Sequence, residues 1–308
     1  MIVVVCPGQG SQTPGFLSPW LEVPSFKSSI DAMQEASGLD LIAHGTVSDA
    51  ETIRDTAVAQ PLIVAAGIAS LQSLLNGKSI SELGISGVAG HSVGEITAAA
   101  VAGVFDAETA IKFVNARGQA MAKAASLEST SMAAILGGDQ SDVEAKLKEL
   151  SLEPANYNGS GQIVAAGSSS AIEKLQGDPV AGTRVIPLQV AGAFHTRFMK
   201  PAVEALESYS KTISVQDPII SLWSNNGGAK IESGTRFVEL LVNQVSSPVR
   251  WDLCMQSMVE AGVSALIELS PAGTLVGLAK RAMPGVETLA VKTPENIEAA
   301  LALINNHR

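Results

Sequence analysis

Cysteine is scarce in this 308-residue chain: Cys6 and Cys254 stand alone, too few for a disulfide framework and in no zinc-type spacing. Both read as apolar packing residues in a metal-free protein. Positive charge is also short. With 20 Lys and Arg against 30 Asp and Glu, the formal charge is −10, which argues against a general affinity for nucleic acid or an acidic membrane. An acidic partner would have to meet a local basic patch. No apolar run looks long enough to cross a bilayer: Pro61–Leu75 is interrupted by Gln72 and Ser73 and reads as a core helix closed by Asn76-Gly77. Met1–Cys6 is short, lacks a basic lead-in and meets Pro7-Gly8 at once, as expected of a first buried strand rather than a signal peptide. Internal repeats, low-complexity tracts and long linkers are absent. The expected setting is the cytoplasm. What is abundant is apolar mass, 46% of residues against 16% charged, enough for one large domain or one carrying a smaller insertion.

One stretch organises the rest. In Ser86-Gly87-Val88-Ala89-Gly90-His91-Ser92-Val93-Gly94-Glu95 an apolar strand runs into G-x-S-x-G and then a helical pattern. That spacing places Ser92 on a sharp strand-to-helix turn, where flanking glycines let backbone approach without a Cβ clash. The helix from Val93 to about Val104 would aim its unpaired N–H groups and positive dipole end at the serine, where an oxyanion forms. Upstream, Pro7-Gly8-Gln9-Gly10-Ser11-Gln12 is a glycine-rich turn after the first strand. Position 13 is Thr, so the third glycine of a dinucleotide fingerprint is missing, and no Gly-Lys-Ser/Thr ending exists. The loop therefore reads as a ligand-side loop whose N–H groups offer a second oxyanion donor, not as a nucleotide site.

A helical pattern covers Asp49–Asn76, with Asp55 as cap and Pro61 expected to kink or restart it. A further helix runs from an Asp106 cap to about Ala125, and on it Ala110, Val114, Arg117 and Met121 share one face. Arg117 thus occupies an apolar position and needs an anion, either a buried acid or a substrate carboxylate held bidentately. Between residues 124 and 194 the order strand, helix, strand, strand, helix, strand reads as an inserted ferredoxin-like unit, with a hairpin at Asn158-Gly159-Ser160-Gly161. The remainder, residues 1–123 and 195–308, is α/β. Four histidines allow elimination of the base. His307 lies in the tail, His44 precedes an acidic segment, and His91 adjoins Ser92 but should face away from it. His195 remains as the general base.

Together Pro7-Gly8-Gln9-Gly10-Ser11-Gln12, Gly90-His91-Ser92-Val93-Gly94-Glu95, Arg117-Gly118, Ala193-Phe194-His195 and Ser247-Pro248-Val249-Arg250-Trp251 resemble the bacterial malonyl-CoA:acyl carrier protein transacylases over nearly the full length. The resemblance implies a hydrolase-like large subdomain with a short parallel sheet, an inserted ferredoxin-like small subdomain, and a site between them. It implies that Ser92 is malonylated and that His195 is the base, oriented by the Gln244 carbonyl in a dyad. The N–H groups of Gln9 and Val93 would hold the oxyanion, and Arg117 would pair with the malonyl carboxylate. Gln60 would stand near the substrate cleft, and Phe194 would crowd an α-methyl group. The implied reaction is ping-pong transfer from malonyl-CoA to acyl carrier protein, with no cofactor, by a chain acting as a monomer. Lys200, Lys280 and Arg281 are candidates for meeting the acidic carrier. Two rivals stand: a serine hydrolase on the same elbow, and a scaffold that binds carrier protein without turnover.

Overall fold

A strand that is apolar on both faces, such as Ile2-Val3-Val4-Val5-Cys6, is stable only inside a parallel sheet with helices on either side. In the computed structural model, which describes residues 1–308, this strand is the middle of five. Its residues alternate between two cores. Ile2, Val4 and Cys6 pack into the largest apolar cluster, and Val3 and Val5 into a second on the opposite face.

In chain order the large layer begins with β1 (Ile2–Cys6), α1 (Pro24–Ser37), α2 (Leu41–Thr46), α3 (Thr56–Leu75), β2 (Ile85–Gly90), α4 (Gly94–Val101) and α5 (Ala107–Ala125). The insertion follows as β3 (Thr130–Gly137), α6 (Gln140–Glu149), β4 (Glu153–Gly159), β5 (Gln162–Ser168), α7 (Ser169–Gly177) and β6 (Thr183–Pro187). The chain then returns through α8 (Lys200–Ser210), β7 (Ser221–Trp223), α9 (Gly234–Gln244), β8 (Val249–Arg250), α10 (Trp251–Glu260), β9 (Ala265–Glu268), α11 (Thr274–Ala282), β10 (Glu287–Ala290) and α12 (Asn296–Asn306). The large sheet has the order β10-β9-β1-β2-β7 with every pairing parallel.

The second sheet has the order β6-β3-β5-β4-β8. Its first four strands are antiparallel neighbours in the ferredoxin-like arrangement, over a small core of their own that includes Ile135, Leu147 and Leu175. The β4–β5 hairpin turns at Ser160 and Gly161, with φ of 50° and 72°, the left-handed pair a two-residue hairpin needs. The fifth strand is β8, part of the Ser-Pro-Val-Arg-Trp motif, and it pairs parallel to β4 from outside residues 124–194. One motif thereby ties the two layers together.

Two expectations are corrected. α3 does not restart at Pro61: it is continuous from Thr56 to Leu75 with the proline inside it, and only the Ala57 carbonyl, four residues earlier, loses its helical donor. By length and composition α3 would also span a bilayer, yet 83% of its most apolar window is buried within this fold. Its cap is as expected, with the Asp55 side chain accepting from the Ala57 N–H.

Candidate active site

β2 runs parallel to β1 until Gly90 pairs with Cys6, and the chain then turns sharply. Ser92 has φ of 52°, a conformation that non-glycine residues adopt only when their surroundings enforce it. The surroundings are tight. A Cβ on Gly90 would lie 2.1 Å from the carbonyl carbon of Gly94, and one on Gly94 would lie 2.1 Å from the Cys6 oxygen. These contacts explain G-x-S-x-G in steric terms. Gly94→Ala should therefore destabilise the protein by about 3 kcal/mol. Gly277→Ala, at a helical position where a Cβ meets nothing within 4 Å, should be neutral or stabilising. Denaturant unfolding of both variants checks the contrast, and equal midpoints would remove the steric account.

Beneath the turn, Asn225 acts as a staple. Its Oδ1 accepts from the Ser92 N–H at 2.8 Å, and its Nδ2 donates to the Gly90 carbonyl at 2.8 Å. The N–H groups of Val93 and Gln9 take part in no hydrogen bond within the protein. The Gln9 side chain meanwhile donates to the Arg54 carbonyl at 3.2 Å, which anchors its loop.

His195 Nε2 lies 2.8 Å from Ser92 Oγ, and its Nδ1 lies 2.8 Å from the backbone carbonyl of Gln244. A carbonyl only accepts, so Nδ1 carries the proton and Nε2 presents a lone pair to the serine hydroxyl. No carboxylate touches the ring, which makes this a dyad. Burial pushes the imidazole down to about 3, and the Arg117 charge works in the same direction. The ring is therefore neutral at pH 7 and able to accept a proton.

Arg117, on α5, is fully buried. Its Nη1 donates to Gln60 Oε1 at 2.7 Å and its Nη2 to Gln244 Oε1 at 2.9 Å; Nη2 also stands 3.5 Å from Ser92 Oγ. Its Nε has no partner. Of the two anions the sequence left open, no acid forms an ion pair with it; the partners are neutral amides. Burial lowers its pKa to about 10, and the Glu95 charge opposes that shift, so the guanidinium is charged at neutral pH.

Ser92 and His195 line a cleft of about 360 Å³ between the layers, with Gln9 and His91 on one side and Met132, Asn156 and Val164 of the small sheet on the other; Arg117 is not among the lining residues and lies just behind the wall, against Gln60 and Ser92. Gln60 and Phe194 also line the cleft. Arg281 stands at the cleft, whereas Lys200 and Lys280 are exposed but do not line it. His91 departs from expectation. It lines the same cleft as Ser92, with Nε2 2.9 Å from Asn158 Oδ1, so it bridges the elbow to the small sheet instead of facing away.

Two polar residues escaped sequence reasoning. Glu95 is 1% exposed within the apolar α4, and its signal was the one that singled out Arg117, a charge on a face that should be buried. Asn225 gave no signal, because its role depends on β7 lying beside β2.

A serine on a strained turn, a neutral imidazole on its hydroxyl and two free N–H groups beside it define an acyl-transfer site. Comparison with known proteins agrees. Residues 3–297 match the acyl transferase domain family. The chain is 48% identical over 303 residues to a malonyl CoA-acyl carrier protein transacylase of Mycobacterium bovis, covering 97% of this chain and 98% of that one. A crystal structure of the Mycobacterium tuberculosis MCAT superposes with a TM-score of 0.94 at 48% identity, covering 98% and 99% of the two chains. A solved type II PKS acyl-carrier protein complex with its malonyl-transacylase matches at a TM-score of 0.92 and 30% identity, covering 98% and 99%. The chain belongs to the acyl transferase domain family, in its two-layer form with a ferredoxin-like insertion.

Proposed function

We propose that this protein transfers a malonyl group from malonyl-CoA to the phosphopantetheine thiol of acyl carrier protein through a malonyl-Ser92 ester. The observation that carries this reading is Arg117: a buried, charged guanidinium with no acid of its own, 3.5 Å from the nucleophile. An acyl group ending in a carboxylate completes it.

In the first half-reaction Ser92 Oγ attacks the thioester carbonyl carbon as its proton passes to His195 Nε2. The carbonyl oxygen becomes an oxyanion held by the N–H groups of Gln9 and Val93. Collapse breaks the C–S bond, and the departing CoA sulfur takes the proton from His195. In the second, the carrier thiol gives its proton to His195 and attacks the ester carbonyl. Collapse then breaks the C–O bond and returns the proton to Ser92 Oγ. The Gln244 carbonyl keeps Nδ1 protonated throughout, and Gln60 orients the guanidinium. Every proton is supplied by these groups, so no cofactor takes part. The Phe194 ring disfavours a methylmalonyl group, by about 1–3 kcal/mol for one methyl. We assign the reaction to the cytoplasm and to fatty acid or polyketide assembly, with acyl carrier protein as the protein partner.

The hydrolase alternative differs in the acceptor. With malonyl-CoA and holo-acyl carrier protein, malonyl-carrier should form faster than free malonate; dominant malonate release would make the protein a hydrolase. Carrier binding without any Ser92 adduct would support the scaffold reading.

A further inference from the structure

Glu95 lies in the first turn of α4, behind the site and away from the cleft. Both carboxylate oxygens accept hydrogen bonds. Oε1 takes the Asn225 backbone N–H at 2.6 Å, and Oε2 takes Gln244 Nε2. Burial raises the carboxyl pKa, while these donors and the more distant Arg117 guanidinium act the other way. An N–H directed at each oxygen favours the carboxylate, which accepts at both, over the acid.

The Gln244 amide has one orientation available. Its NH₂ donates to Glu95 and, at 3.2 Å, to Asn225 Oδ1, so its oxygen must point at Arg117. Turning the amide over would set carbonyl against carboxylate and NH₂ against guanidinium, two repulsions in place of two bonds. Arg117 has five N–H donors, of which the amide oxygens of Gln60 and Gln244 engage two and Ser92 Oγ, at 3.5 Å, a third, and its Nε stays unpaired. A direct ion pair would have occupied that donor set.

The geometry points to Glu95 as a positioning residue: it supplies Arg117 with a counter-charge held one amide away, so the buried guanidinium stays charged while its remaining donors stay free for the acidic acyl group. The same Gln244 fixes the histidine through its backbone carbonyl. Gln244 thus touches both the base, through its backbone, and the guanidinium, through the side chain that Glu95 orients. This inference rests on the malonyl-transfer reading.

The test compares single-turnover acylation of Ser92 by malonyl-CoA and by acetyl-CoA, read by intact-protein mass spectrometry, with thermal unfolding alongside. Glu95→Gln keeps the shape but must direct an NH₂ at one of two existing donors, which turns Gln244 or displaces Asn225. The malonyl-to-acetyl ratio should fall at least about tenfold. The double variant Glu95→Gln with Gln244→Glu restores donor to acceptor from the Asn225 N–H through residues 95 and 244 to Arg117, at the cost of the weaker contact to Asn225 Oδ1, and moves the charge into direct contact with Arg117. Its melting temperature should recover relative to Glu95→Gln. Its ratio should stay at least about tenfold below the parent, with the loss in KM for malonyl-CoA. A double variant with the parent ratio overturns the inference, as does Glu95→Gln losing both acylations equally. If the parent protein itself takes no malonyl group, the transfer reading fails first, an outcome distinct from either.

Discussion

Ser92→Ala should gain no mass on incubation with excess malonyl-CoA, and His195→Ala should acylate about 10²–10⁴-fold more slowly than the parent. The two effects differ in kind because the residues do. Removing Ser92 removes the atom that forms the ester. Removing His195 leaves the hydroxyl in place and the N–H groups of Gln9 and Val93 free, so residual acylation should persist. The pH profile adds a check with a definite sign. Because burial holds the His195 imidazole down at about 3, the base form predominates everywhere above that value. Acylation should thus show no acid limb near 6.5, where an ordinary histidine loses its lone pair to a proton. A limb at that position, or a malonyl adduct on Ser92→Ala, would show that the dyad does not work as arranged.

The groups this test addresses were the ones most legible in the amino-acid sequence, for a physical reason. G-x-S-x-G records a steric requirement of the turn: a Cβ on Gly94 would sit 2.1 Å from the Cys6 oxygen. Arg117 was legible because a charge on an apolar helix face must be satisfied, and the structure answers with two amides and no acid. The ferredoxin-like order was legible because each of its strands and helices is long enough to show its own period. What was not legible depends on partners distant in the chain. β8 has two residues, too few for any pattern, and becomes a strand only because β4 lies beside it. Asn225 reads as a loop polar residue until β7 places it under residues 90–92. His91 was expected to turn from the serine, yet Asn158 draws its ring into the cleft wall, a contact invisible before the two layers are joined.

Arg117→Ala should reduce acylation by malonyl-CoA about 10²–10³-fold while reducing acylation by acetyl-CoA far less, so that the ratio of the two rates falls at least about tenfold. Stripping one partner from a buried charge pair costs about 3–5 kcal/mol, most of it the burden of a carboxylate left desolvated with nothing opposite. Acetyl-CoA carries no such group and should be spared that term. The parent enzyme should discriminate for the converse reason: an acetyl group leaves the remaining donors of a fully buried guanidinium without a direct acceptor. Arg117→Lys separates charge from shape. Lysine keeps the positive charge but cannot engage Gln60, Gln244 and a carboxylate with one planar fork, so it should fall between the parent and Arg117→Ala. Because the Ser92–His195 contact is made without the arginine, the acetyl reaction provides the internal control for folding and for the dyad. Equal losses with both thioesters would mean that Arg117 serves only to hold the pocket together, and the acidic acyl group would then have to be recognised elsewhere in the cleft.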